Sequence, residues 1–211
     1  MGSKLEDNLV EELISEVLGK PAALPLLQFT LLKLWENRDH NRLTWEAYRR
    51  IGGGQGALAN SADAFYDHLS DADQETAKKI LLGIVRPTVE RRISADRRLK
   101  TSLRQSIVVP DEQFERVLNQ LQAAQLMRFI PGTTPENDQV GLAHESLARI
   151  WPRFIGWIEE SRVAQRQRLR LATTAEQWQA LGRTDSLLLR GLLLEEARQY
   201  HDLNGLEQAF Y

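Results

Sequence analysis

Apolar residues recur at helical spacing along most of the chain, and turn-forming residues cut the recurrence into segments. Leu9, Leu13 and Val17, with Val10, Ile14 and Leu18 beside them, predict a first amphipathic helix ending at Gly19. In "ALPLLQFTLLKLWENRD", Pro25 suits a first-turn position, where its missing N–H costs nothing. Leu24, Leu27, Leu31 and Leu34 line one face of that segment, and Leu26, Phe29 and Leu32 another, so the pattern predicts a helix buried on two sides. Thr44 is placed to cap a short helix, "WEAYRRI", which Gly52-Gly53-Gly54 stops. Leu58, Ala62, Phe65 and Leu69 mark a further helix. These elements predict a helical subdomain over residues 1–69.

From Ser70 the pattern changes. Ser70 with Asp73 three residues on starts a helix, "ADQETAKKILLGIVR", which Pro87 ends. The basic stretch "TVERRISADRRLKTSLRQ" has room for one short strand and one short helix, and Pro110-Asp111 then opens an amphipathic helix carrying Phe114, Val117, Leu118 and Leu121. Two apolar runs, "LMRFI" and "QVGLA", flank the turn-rich "PGTTPEND" and predict a β-hairpin. Three helices followed by a hairpin wing is the order of a winged helix, here spanning residues 70–145. Beyond it, Leu147, Ile150, Trp151, Phe154, Trp157 and Ile158 mark a helical face that Pro152 kinks or restarts. Helix formers continue to Gly182, and Asp185 or Ser186 is placed to cap a last helix, giving a C-terminal helical arm over residues 146–211. The predicted fold class is mainly α.

Composition narrows the function classes. The 211 residues are 42% hydrophobic and 27% charged, as in an ordinary globular protein, and no apolar run reaches the roughly 20 residues a membrane span needs. The absence of cysteine excludes disulfides and thiolate metal sites and fits a cytoplasmic setting. A formal net charge of −2 provides no bulk attraction to nucleic acid or acidic membranes. Met1-Gly2-Ser3 reads as an appended start, so the chain is expected to be a piece of a longer polypeptide.

Candidate chemistry is sparse. "GGGQGALA" has no Lys-Ser or Lys-Thr where a P-loop needs one, so it reads as a flexible helix–helix connection. "HESLA" has Ala148 where a zinc protease needs its second histidine, so neither a metal site nor a catalytic residue is predicted. Arg162, Arg166 and Arg170 form a ridge that reads as a solvated face, with Glu159 and Glu160 just upstream. A DNA-reading role is disfavoured, because the third helix of the winged helix opens with Asp111, Glu112 and Glu115, and its wing holds Glu136 and Asp138 without a cation. The basic residues Arg91, Arg92, Arg97, Arg98 and Lys100 keep a DNA-binding regulator as an alternative. A protein-interaction scaffold is another. His144 sits where an apolar strand becomes a helix, and spacing alone leaves two readings open: a histidine satisfied locally, or one offered to a ligand.

Four linked segments, "ALPLLQFTLLKLWE", "RLTWEAYRRIGGGQGALAN", "LAHESLARIWPRFIGWIEESR" and "LLLRGLLLEEARQY", closely resemble the C-terminal part of the STAND NTPase module of bacterial WD-repeat proteins. The resemblance covers nearly the whole chain. It implies a regulatory ATPase related to the NB-ARC switches, with the P-loop core N-terminal to residue 1 and a sensor of repeats C-terminal to the arm. "ALPLL" resembles the NB-ARC Gly-Leu-Pro-Leu segment, whose proline packs on adenine; that position is Pro25, and Ala23 stands at the glycine. "AHESL" resembles the Met-His-Asp motif, whose histidine meets the β-phosphate of ADP; that position is His144, with Glu145 at the acidic place and Ala143 at the methionine. The resemblance thus implies a non-catalytic part of a signalling switch, which holds no cofactor alone, closes over ADP or ATP with magnesium in the longer protein, and gates homo-oligomerisation.

Overall fold

Caps and turns cut the helical pattern into the pieces seen in the computed structural model, which describes residues 4–17, 23–87, 93–95, 97–184, 188–197 and 205–210. A two-residue strand, β1 (Lys4–Leu5), precedes helices α1 (Leu9–Val17) and α2 (Ala23–Glu36) and pairs in parallel with β2 (Arg42–Leu43). The Glu6 carboxylate accepts from the Trp45 N–H at 2.7 Å, which ties this pairing to the start of α3 (Trp45–Ile51). Thr44 caps α3 as its position predicts, accepting from Ala47 N–H at 3.1 Å.

The glycine run is not a flexible connection. Gly52, at φ +93°, ends α3 in the left-handed region, and Gly53 immediately opens α4 (Gly53–Asp67). The Glu16 carboxylate reaches the first turn of α4 and accepts from Gly54 N–H at 3.1 Å. A Cβ on Gly54 would stand 1.7 Å from Glu16 Oε2, so the glycine is what admits that carboxylate to the positive end of the helix.

Helix α2 departs from its predicted burial. Phe29, Thr30 and Leu34 are buried, but Leu24 is 61% exposed and Leu31, Leu32 and Trp35 also lie on the surface. Each of the two predicted faces is thus split: Phe29 and Leu34 are buried, Leu26 and Leu27 pack against the core that α1, α3 and α4 share with α2, and Leu24, Leu31 and Leu32 stay outside it.

Ser70 caps α5 (Asp71–Ile84), accepting from Asp73 N–H at 3.3 Å. The chain passes through an antiparallel pair, β3 (Val85–Pro87) and β4 (Ile93–Ala95), then β5 (Arg98–Leu99), α6 (Lys100–Gln105) and α7 (Asp111–Ala123). The predicted hairpin follows as β6 (Met127–Ile130) and β7 (Gln139–Leu142), with Arg128 opposite Gly141. β7 is central in a three-stranded antiparallel sheet of order β5-β7-β6. Asp73 and Arg116 join α5 to α7 at 2.7 Å.

Trp151 separates α8 (Leu147–Ile150) from α9 (Pro152–Ala180), so Pro152 restarts the helix at its first position. The molecule is mainly helical. It divides into two compact units, residues 1–158 and 159–211, and the division falls within α9. In the second unit, Leu171, Ala175 and Trp178 of α9 pack with Ala197 of α10 (Leu192–Ala197) and with Phe210, just after α11 (Gly205–Ala209). Residues 188–190 are not helical, and α10 starts after Gly191, at φ +62°; Asp185 and Ser186, the predicted caps of a last helix, lie outside the described residues. Arg168 grips the buried Glu207 through two hydrogen bonds of 2.5 and 2.8 Å. Among the described residues, no helix is long and apolar enough to cross a membrane.

Candidate functional site

Strand β7 hands the chain directly to the candidate histidine. Val140, Gly141 and Leu142 are buried, and Ala143 N–H continues the ladder to Leu126 O at 3.0 Å. The backbone then coils: the His144 carbonyl accepts from Leu147 N–H at 3.1 Å, and the Ser146 carbonyl accepts from Arg149 and Ile150 at 2.8 and 2.9 Å. Burial of Leu147 and Ala148 fixes α8 against the core and holds residue 144 at the junction the sequence predicts.

The His144 side chain is half-buried and lines a groove of about 510 Å³. One wall is α2, through Gln28, Phe29 and Leu32; the other is built from Gln122, Gln125, Met127, Arg128 and Ala143. The Phe29 ring meets the imidazole edge-on, with centroids 5.6 Å apart. Among the described residues, His144 Nδ1 is buried without a hydrogen-bond partner. Partial burial pushes its pKa below the ordinary 6.5, and the Arg128 guanidinium pushes the same way. The free imidazole is therefore neutral at neutral pH.

Arg128 is the residue that motif reasoning missed. It is exposed, and among the described residues no hydrogen bond or ion pair engages it. Opposite it, Gly141 has no side chain, and a Cβ there would lie 3.8 Å from Arg128 Nε. A signal was present in the sequence: Arg128 is the only charged residue between Arg116 and Glu136 and interrupts an apolar strand. Gln125, at φ +58°, sits in the left-handed region that disfavours residues other than glycine, also on the rim of this groove.

Pro25 stands third in α2, four positions before Phe29, so helical repeat places its backbone one turn from the wall of the groove; its side chain lies outside the described residues. The arrangement offers apolar walls, three amides, one guanidinium and one half-buried imidazole. That donor set suits an oxyanion next to a flat apolar group, such as a nucleotide's phosphate and base. Among the described residues, no group of three or more His, Asp or Glu side chains is placed to hold a metal ion.

Elsewhere the charges are mostly self-matched. Arg162 pairs with Glu159 at 2.6 Å, while Arg166 and Arg170 are exposed. Lys100 pairs with Glu115 at 2.8 Å, and Arg98 donates to the Gly83 and Ser102 carbonyls; Arg97 is exposed, and Arg91 and Arg92 lie outside the described residues.

A family model described as Novel STAND NTPase 1 matches residues 1–186, and the chain belongs to that family. No curated protein and no solved structure matches it.

Proposed function

We propose that this member of the Novel STAND NTPase 1 family is the lid half of a nucleotide-gated switch, closing over ADP held by a P-loop core that lies outside the chain. The order α5, β5, α6, α7, β6, β7, interrupted after α5 only by the separate β3–β4 pair, with β5 on the far side of β7, supports a winged helix over residues 70–145. The observation that carries the reading is the place of His144: its half-buried imidazole lines an open groove whose other wall is α2, the helix of Pro25.

In this reading His144 donates to a phosphate oxygen and holds the lid closed. Pro25 and the wall around Phe29 and Leu32 shelter the base. The exposed apolar face of α2 docks on the nucleotide core, and the arm over residues 146–211 connects to the sensor repeats. Bound ADP contributes the phosphate charge; hydrolysis, with its magnesium, belongs to the core. A ligand shifts such an equilibrium only through unequal affinity for the two states. A hydrogen bond to a charged group, worth about 1.5–3 kcal/mol, biases closure by roughly one to two decades. Release of the lid then exposes surfaces for homo-oligomerisation.

The test is ADP dissociation from the protein carrying its nucleotide core. His144→Ala should release ADP about ten- to a hundredfold faster. Equal rates for variant and parent would remove His144 from the latch. The DNA-regulator alternative has weaker support, since the open end of α7 is acidic and its Arg116 is held by Asp73. A steep salt dependence of duplex binding would favour that alternative.

A further inference from the structure

The groove holds one more unmatched group than the lid reading uses. Arg128 lines it together with His144, and a cation near a neutral imidazole disfavours the second proton that would make the ring a cation and add a donor. Among the described residues, no carboxylate lines the groove to settle that charge. The other charges nearby are occupied or turned away. On α2, Lys33 stands over the Phe29 ring at 5.5 Å and pairs with Glu36 at 2.8 Å. The end of α7 contributes only Gln122 and Gln125, and Glu145, next in the chain, is exposed and does not line the groove.

We propose that Arg128 and His144 together form a proton-coupled clamp for a phosphate-class oxyanion, in which Arg128 is the standing cation and His144 becomes the second cation only when the anion is present. The inference rests on the lid reading and adds to it a second contact and a pH dependence. An anion between the two groups cancels their repulsion, so the imidazole takes up a proton from solvent as the anion enters. Nδ1 or Nε2 then gains a donor that the empty ring lacks, and the guanidinium gives two parallel donors to the same group. Anion retention therefore tightens as pH falls toward the ordinary histidine range and loosens above it. A lid of this kind reads proton concentration as well as nucleotide state.

The experiment uses the chain itself with histidines isotopically labelled, sodium pyrophosphate as the probe, and NMR as the readout. His144→Gln assigns the His144 signal. In the free chain, Arg128→Gln should move the His144 titration midpoint upward, because one of its two depressing influences is gone. In the parent chain, saturating pyrophosphate should raise that midpoint by about one pH unit. Arg128→Gln should bind pyrophosphate at least about tenfold more weakly. Arg128→Lys, which keeps the charge but loses the planar fork, should keep the midpoint and fall between the two in affinity. An unmoved midpoint in Arg128→Gln, equal affinity of that variant and the parent, or no His144 response at tens of millimolar pyrophosphate each overturns the clamp. Failure here is separable from failure of the lid. If His144→Ala still accelerates ADP release from the longer protein while Arg128→Gln does not, only the clamp is lost.

Discussion

The two ends of α8 follow opposite rules. At its C-terminal end Trp151 is fully enclosed, packs against Phe154, Trp157 and Tyr66, and donates from Nε1 to Asp63 at 2.9 Å. Arg153 bridges Asp63 and Asp67 at 3.1 and 2.6 Å and lies over the Tyr66 ring at 4.9 Å. The indole, both carboxylates and the guanidinium there are all partnered. At the N-terminal end, His144 leaves a buried nitrogen unmatched, Arg128 has no carboxylate, and Gln125 holds a strained backbone. Folding tolerates few such orphans; Gln120 Oε1 and Arg162 Nη2 are two others among the described residues, but only at the groove does one stand with an unpaired cation and a strained backbone.

That contrast breaks most visibly at Trp151. Trp151→Ala should cost about 3–5 kcal/mol of unfolding free energy, through both the lost burial and the cavity left behind. Trp151→Phe should cost roughly 1–2 kcal/mol, since Asp63 keeps Arg153 after losing the indole. His144→Ala should cost less than about 1 kcal/mol, because the removed ring is half-buried and makes no hydrogen bond through its buried nitrogen. Urea denaturation of the three variants decides the point. A histidine as costly to remove as the tryptophan would belong to the core, and the groove would lose its meaning.

Much of the paired end was legible in the sequence and much of the open end was not. Thr44, Ser70 and Pro152 act through contacts with residues a few positions away, so their roles as caps and helix start follow from spacing alone. The strand-to-helix junction at His144 followed likewise. The burial of α2 did not follow, because periodicity counts apolar faces without knowing whether the fold supplies enough partners to cover them. The glycine run was misread for a related reason: its need for glycine at position 54 comes from Glu16, thirty-eight residues away. Arg128 is a tertiary fact of the same kind, since only sheet register and packing bring it to the imidazole.

A second measurement sharpens the contrast on the paired side. Asp73 is held by Arg116 and also hydrogen-bonded to Ser70 and Gln113, and the Arg116 contact above all depresses its pKa below the ordinary 3.8. A depressed carboxylate stabilises the fold above the unfolded value, and that contribution disappears as pH falls through the folded one. Asp73→Asn should therefore cost about 1–2 kcal/mol at neutral pH, kept modest because Arg116 is half-exposed, and the gap from the parent should close in acid. A gap that persists unchanged in acid would mean packing, not charge pairing, is what Asp73 provides. On the open side, Gln125→Gly should do the reverse and stabilise the chain by about 1 kcal/mol, since glycine enters the left-handed region without the Cβ clash. A destabilised glycine variant would show that the Gln125 side chain holds the rim together.

The smallest effect separates the two ends most directly, because it has opposite signs with and without a ligand. Burial and Arg128 make the folded His144 a poorer base than an unfolded histidine of pKa 6.5. Between the folded midpoint and 6.5 the unfolded chain thus binds more protons, and stability rises with pH. Acidification through this window should lower the stability of the parent, then lower it no further once both states are protonated. His144→Gln should lack the step, and Arg128→Gln should show a shallower one. Pyrophosphate in the groove should invert it: if the anion draws a proton onto the folded imidazole, acidification across the same window stabilises the complex. The Asp73 step, driven by an internal partner, should ignore the ligand altogether. A His144 step equally indifferent to pyrophosphate would place both ends of α8 under one rule.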